Sequence, residues 1–264
     1  MTAAKDRWTA GHDAEGEHDD PWSALSGAWA ALWGPFADPA RRALVAATGV
    51  GPGARVLDVG CGSGELLALL ADAGAGVAGA DVAAGMVALA RRAAPSADVR
   101  VASAESLPWP DDVFDVVTAV NVLHVADDPE AALAEAVRVA APGGQVAVCG
   151  WADRELVELD VVEAALAEDD GEPPAEESPL RREAATRALL RDAGLTVEHV
   201  SLVDVPWTAA DDDALVRGVL LGEDATGLAE RGPVVLAAAR PFRTPEGGYR
   251  FRNAFRLLVG RAPA

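Results

Sequence analysis

Apolar positions recur along this chain with two different periods, and the change of period divides it. Trp22, Leu25, Trp29 and Leu32 fall on one helical face. Pro35 and Pro39 interrupt that face, and the next expected helix is Ala40–Thr48. After Gly51-Pro52-Gly53, short apolar runs alternate with helical stretches. Arg55–Val59 (RVLDV), Val77–Asp81, Val99–Ser103, Phe114–Val120 and Gln145–Gly150 read as strands. Between them, Glu65–Ala73, Gly85–Ala94 and Pro129–Ala140 read as helices, the last ended by Pro142-Gly143-Gly144. Buried strands alternating with helices predict βαβ units and a parallel sheet covered on both faces.

Beyond Trp151 this rhythm breaks. The pattern predicts a helix over Arg154–Glu168, then an acidic, proline-containing loop, Asp169–Pro179, that reads as solvated surface. A helix over Leu180–Ala193 with Gly194 at its end precedes a long strand, Thr196–Val205. Asp211–Leu221 and Ala229–Ala239 read as helices, and Tyr249–Val259 as one final strand. The chain thus divides into an acidic tail (1–20) expected to be mobile, N-terminal helices (21–50), a core (51–151) and a C-terminal part (152–264) of lid helices and closing strands.

Composition narrows the function. The 264 residues carry a net charge of −20, which repels phosphate backbones and anionic lipid, so nucleic acid and membrane surfaces are poor partners. No apolar run approaches the ~20 residues of a bilayer span. The polar N-terminus lacks the apolar core of a signal peptide. Two cysteines, Cys61 and Cys149, are too few for a disulfide framework or a zinc site and fit a reducing cytoplasm.

The informative stretch is Val56–Glu65, VLDVGCGSGE. Gly60, Gly62 and Gly64 follow a buried strand and open a helix, where the missing Cβ atoms allow a sharp turn and a ligand lying against the backbone. The spacing is GxGxG, not the GxGxxG of dinucleotide sites, and no Gly-Lys-Ser/Thr follows. A carboxylate at Asp58 would repel a diphosphate and attract an ammonium or sulfonium. Asp81 ends the next strand, where a carboxylate can accept both ribose hydroxyls. The site reads as built for a nucleoside with a cationic tail.

With these motifs in place, the sequence resembles the class I S-adenosylmethionine-dependent methyltransferases, in the small-molecule branch similar to the ubiquinone/menaquinone enzymes. The resemblance spans Arg55–Trp151 and includes VLDVGCGSGE, GADVAAGMVALA, ASAESLPWPDDVFDVVTAVNVLHV and DDPEAALAEAVRVAAPGG. The C-terminal PFRTPEGGYRFRNAFRLLVGR is similar to the tail of natural-product methyltransferases. The resemblance implies an α/β fold: a Rossmann-like, seven-stranded, mostly parallel sheet with helices on both faces, N-terminal helices and a helical lid. It also implies S-adenosylmethionine as cofactor. Asp58, Gly60, Cys61 and Gly62 would lie by the methionine part, with Asp81 on the ribose and Val82 and Met86 flanking adenine. Ala104 and Glu105 would read the adenine edge, and Asn121 would face the reactive end. Relatives often have Asp where Ser103 stands here. Leu123-His124-Val125 stands where relatives often have Leu-His-His.

His124 is the catalytic candidate, since an imidazole can take a proton from a phenol, hydroxyl or amine as a methyl arrives; its alternative is a hydrogen-bonded structural role. Trp29, Trp33 and Trp151 are candidates for the substrate pocket, with Trp8 a further aromatic at its mouth; core packing is the alternative for Trp22 and Trp29. His12 and His18 lie in an acidic run that reads as a solvated tail, and no metal site is expected. His199, Tyr249 and Trp109 read as structural, and Cys61 as packing rather than nucleophilic. The expected activity is methyl transfer to a small, neutral or aromatic metabolite in natural-product biosynthesis, by an enzyme for which a homodimer is compatible. Two rivals stand beside it. One is a methyltransferase-like protein that uses bound S-adenosylmethionine for a cyclisation or rearrangement, or serves as a partner of another enzyme. The other is a nicotinamide-dependent oxidoreductase, which the GxGxG spacing and Asp58 disfavour.

Overall fold

The computed structural model describes residues 21–264. Strands β1 (Arg55–Val59), β2 (Gly76–Asp81), β3 (Asp98–Val101), β4 (Phe114–Val120) and β5 (Ala140–Trp151) form the parallel part of one sheet. It is completed by β6 (Thr196–Asp204) and by the last strand, Ala254–Arg261, which runs antiparallel between β5 and β6. The order of the seven strands is β3-β2-β1-β4-β5, then Ala254–Arg261, then β6. The expected Rossmann-like, mostly parallel sheet is therefore what the chain builds. Strand order reverses between β1 and β4, and ligands of open α/β sheets bind outside the strand ends at such a reversal.

Helices α1 (Pro21–Leu32), α2 (Asp38–Thr48), α3 (Glu65–Asp72), α4 (Ala84–Ala93) and α5 (Pro129–Val139) are followed after β5 by α6 (Asp160–Asp169), α7 (Glu183–Asp192), α8 (Asp212–Val219) and α9 (Ala225–Ala239). Alternation along β5 serves both faces. Ala147, Cys149 and Trp151 point to a core shared with α2, while Val146 and Val148 point to one shared with α5 and α7.

Two sequence expectations are corrected here. The run Tyr249–Val259 is not one strand but two. β8 (Tyr249–Phe251) pairs with β7 (Trp207–Ala209) in a separate small sheet, and β9 (Ala254–Arg261) enters the main one. The hinge is Asn253, 3% exposed, whose Oδ1 accepts from Leu159 N at 3.2 Å. The same contact breaks the helix expected over Arg154–Glu168. Val157 bridges to Asn253 and Glu158 N donates to Arg252 O, so a short turn at Arg154–Leu156 is separated from α6. Periodicity reports a local preference, and a long-range backbone pairing overrode it.

The N-terminal helix packs over α4, so that a Cβ on Gly85 would lie 2.6 Å from Ser23 O. An aromatic ladder holds its other end. Trp22, Trp29 and Trp33 contact one another in turn, and Trp33 stacks on Trp207 with ring centroids 4.7 Å apart.

Candidate active site

The glycine loop after β1 divides its labour. Gly60 (φ +64) has no room for a side chain, since its Cβ would meet Val122 Cγ2 at 2.3 Å. The loops after β1 and β4 are thereby drawn together at the strand-order reversal. Gly64 (φ +93) lets α4 approach, its Cβ position lying 2.6 Å from Ala90 Cα. Gly62 (φ +53) faces open space, so of the three it is the one whose backbone offers a surface to a ligand.

The loop is tied to β2 through Asp81, whose Oδ2 accepts from Gly62 N at 2.8 Å and Oδ1 from Ala83 N at 3.0 Å. Each carboxylate oxygen can take a second hydrogen bond, which suits a ribose diol. Asp58 points into the sheet at the base of the loop. It is 3% exposed and accepts from Thr118 Oγ1 at 2.7 Å. Burial pushes its carboxyl up to about 7, despite the Thr118 bond and the charge of Arg41. This buried acid braces β1 against β4. Cys61 also turns inward, its Sγ lying 3.1 Å from a Cβ position on Gly79 and its N–H donating to Ala80 O. Burial drives its thiol far above the ordinary range, so it stays protonated.

At the end of β2, Val82 is 56% exposed while Met86, in the first turn of α4, is buried. Ala104 is half-buried after β3. Glu105 ties two loops together. Its Oε1 accepts from Asp127 N and Asp128 N at 3.1 and 3.4 Å, and its Oε2 accepts from Ser103 Oγ. Burial alone would raise this carboxyl, but the Ser103 hydroxyl and the backbone N–H groups hold it below its ordinary value. The residue braces the loop after β3 against the loop after β4.

Beyond β4 the chain turns sharply at Asn121, which adopts φ +60, a left-handed conformation Asn tolerates. Its N–H donates to Cys149 O at 2.7 Å, while its Oδ1 is buried with no hydrogen-bond partner. A Cβ on Gly150 would lie 3.5 Å from that oxygen and 4.0 Å from His124 Nδ1. Gly150 thus leaves space where the amide and the imidazole meet. His124, Gly150 and Trp151 line a cavity of about 290 Å³. Trp151 packs edge-on against Phe255 at 5.0 Å and tilts against Phe36 at 5.3 Å, which fixes this apolar wall.

The opposite wall comes from residues the sequence did not single out. Arg154, Glu177, Arg181 and Arg256 also line the cavity. Arg181 donates to Ala152 O and Asp160 Oδ2 at 2.7 Å each, and Arg256 pairs with Asp153 and Glu183. The acidic loop expected to be surface is only half so. Residues 169–174 are exposed, but Glu177 is drawn in to accept from Arg154 N at 2.6 Å and from Arg182. No signal in the sequence showed this pairing, because Arg154 lies 23 residues from Glu177 along the chain. Trp29 and Trp33 are not among the lining residues. Trp33 stacks on Trp207 and donates from Nε1 to Gly218 O at 3.0 Å, in the small-sheet region. Tyr249 donates to Asp212 Oδ1, Trp109 to Asp98 Oδ2, and His199 pairs with Ser201. Trp8, His12 and His18 lie outside the described residues. Among the described residues, no group of three or more potential ligands could hold a metal ion.

The open face of Gly62, the acceptor pair on Asp81, the exposed Val82 and the orphaned Asn121 Oδ1 fit a nucleoside cofactor laid across the reversal point. Residues 57–148 match the methyltransferase domain family, and with this sheet order that segment is a class I S-adenosylmethionine-dependent methyltransferase domain. A demethylmenaquinone methyltransferase from Renibacterium salmoninarum is 42% identical over 108 residues, which cover 41% of this chain. They cover 46% of that relative, so the match spans about half its length. A chain in the complex between the Haloferax volcanii Trm112 methyltransferase activator and a methyltransferase is 25% identical, with TM-score 0.62, covering 95% of this chain and 100% of that one. The [4+2]-cyclase SpnF, 22% identical with TM-score 0.59 over 86% of this chain and 81% of its own, shares the fold. Among the described residues, no helix is long and apolar enough to cross a membrane.

Proposed function

We propose that this protein transfers the methyl group of S-adenosylmethionine to a small, neutral or aromatic metabolite held in the cavity beside His124. The observation that carries this reading is that Asn121 Oδ1, buried without a hydrogen-bond partner, and His124 Nδ1 both lie within 4.0 Å of the Cβ position of Gly150, beside a cavity lined by His124, Gly150 and Trp151 at the ends of β4 and β5. The cofactor supplies an already activated methyl on a sulfonium, so the protein's work is alignment and proton removal. Good alignment alone lowers such a barrier by roughly 7–11 kcal/mol. Asn121 Oδ1 accepts a hydrogen bond from a polar hydrogen that enters the pocket. His124 takes the proton that the acceptor atom gives up as its new bond to carbon forms. Trp151, backed by Phe36 and Phe255, excludes water and offers a flat wall to a ring.

A hydroquinone-like or phenolic acceptor suits this wall, and the demethylmenaquinone methyltransferase relative supports a ring of that kind. We place the reaction in natural-product metabolism, on the resemblance of the C-terminal segment, and in the cytoplasm, on two unpaired thiols. The lid is the segment from Arg154 to Thr186, which supplies most of the cavity's polar lining.

The test is a labelled-methyl assay against a panel of hydroquinones, phenols and amines. Methylated product and S-adenosylhomocysteine are expected in equal amounts, with His124→Ala lowering turnover by about 10²–10⁴-fold. Near-full turnover of that variant across about pH 6–9 would remove the base. Consumption of acceptor with no S-adenosylhomocysteine released would replace methyl transfer by a rearrangement.

A further inference from the structure

Folding pairs nearly all buried donors, because an unpaired one keeps its full desolvation cost. Three that stay unpaired belong to one cavity. Arg154 Nε, Arg181 Nη2 and Arg256 Nε are buried with no hydrogen-bond partner among the described residues, and all three residues line the space that His124 and Trp151 also line. Arg181 and Arg256 are only 8% and 9% exposed.

The rest of each side chain is tied down, and the ties bring the three together. Arg181 donates from Nε to Ala152 O and from Nη1 to Asp160 Oδ2, at 2.7 Å each. Arg256 grips the next residue, Asp153, through Nη2, and Glu183 through Nη1 at 3.3 Å. Arg154 holds Ala175 O from Nη2 at 2.6 Å and keeps its Nε 3.7 Å from the same Asp160 Oδ2. Fixed at these points, the spare N–H groups cannot swing away to find partners. Charge decides what they suit. Asp153, Asp160 and Glu183 already balance the guanidiniums, Glu163, Glu176 and Glu177 line the same space, and Arg182 adds a cation on Glu177. Carboxylates outnumber cations here, so an anion is repelled. What fits is a neutral oxygen with lone pairs and no hydrogen of its own: a carbonyl, which can accept two N–H groups at once.

We propose that the methyl acceptor carries a carbonyl oxygen that docks on this arginine wall, Arg181 Nη2 and Arg256 Nε donating to it, while its reacting group faces His124. The inference rests on the methyl-transfer reading and narrows its acceptor to neutral hydroxyaryl carbonyl compounds. Arg181 and Arg256 then set specificity and take no part in the chemistry. A site built to hydrogen-bond a group rejects the analogue that lacks it, since its own donors are left bare.

Calorimetric titration of the full chain, saturated with S-adenosylhomocysteine, compares phenols that bear an acetyl, an ethyl or a carboxylate group at the same ring position. The acetyl phenol is expected to bind about tenfold to a hundredfold tighter than the ethyl one, and the carboxylate more weakly than the acetyl. Arg181→Met should bring acetyl and ethyl within about threefold of each other while the ethyl affinity itself moves by less than about threefold. If that variant does not fold, Arg256→Met carries the same comparison. Equal acetyl and ethyl affinity in the wild type would leave the donors to water and overturn the proposal. So would tightest binding of the carboxylate, an unchanged acetyl preference in the variant, or no binding of any of these phenols. Failure of S-adenosylhomocysteine itself to bind would instead overturn the methyl-transfer reading, and this docking site with it.

Discussion

Ser23 Oγ accepts a hydrogen bond from Gly85 N at 2.7 Å, joining the N-terminal helix to the first turn of α4. Ala83, at the start of α4, has no side chain able to cap it, so the cap comes from a distant segment. The same contact seats α1 next to Val82, on the side of the sheet where the nucleoside would lie.

Displacing that helix should be simple. Gly85→Val places a side chain where Ser23 O and Cα already stand, at a cost of about 1–3 kcal/mol. Limited proteolysis with mass readout should show new cleavage within residues 21–32 while the sheet stays protected. Unchanged protection of α1 would mean that Ser23 and Gly85 are not in contact in solution.

The buried Asp58 carboxyl predicts a pH dependence of stability. Its folded value of about 7 lies above the ordinary carboxyl value near 4, so the folded state prefers the neutral form. The stability this group contributes is complete below about pH 4 and is lost as pH rises through about 7. Asp58→Asn keeps an acceptor for Thr118 and cannot ionise. Urea unfolding should find the variant more stable than wild type at pH 8, by up to about 4 kcal/mol, with the difference vanishing near pH 4. A constant difference across that range would contradict the assignment.

The tryptophan stack predicts which aromatic is structural. Trp33→Ala removes the Trp207 contact and the Gly218 hydrogen bond together and should cost about 3 kcal/mol in unfolding free energy. Gly218→Ala should also destabilise, against helix propensity, because the new methyl would lie 2.5 Å from Trp207 Cζ2. Thermal melts of both variants check this, and a more stable Gly218→Ala protein would place Trp207 elsewhere.

Both thiols should be inert in the folded protein. Burial pushes both thiols up, Cys149 to about 12, so neither forms thiolate near neutrality. Iodoacetamide at pH 8 should label neither until denaturant is added, as mass spectrometry would show. Rapid labelling of Cys61 in the native protein would mean that the glycine loop opens.

The regular core was legible because its signals are local. RVLDV, FDVVTAV and the helices between them carry burial and turn information within a few residues, and the chain folds as those signals state. GxGxG was legible for the same reason: backbone geometry at Gly60, Gly62 and Gly64 excludes side chains. The hydrogen-bond partners of the charged residues were not legible in this way. Asp58 and Glu105 lie near their expected places, yet their carboxyls are engaged by Thr118 and by the backbone of Asp127 and Asp128. Partners some twenty to sixty residues away leave no trace in a local pattern.

From the order of residues alone came the parallel sheet, its glycine turn, and the acid Asp81 at the end of β2, all set by sterics and periodicity over short spans. Only the folded chain decided that Arg181, Arg256 and Glu177 would wall a cavity with His124, that Trp33 would stack on Trp207 and not line that cavity, and that Asn253 would split the last strand. Such contacts join distant segments, and their free energy exists only once the sheet has brought those segments within a few ångströms of each other.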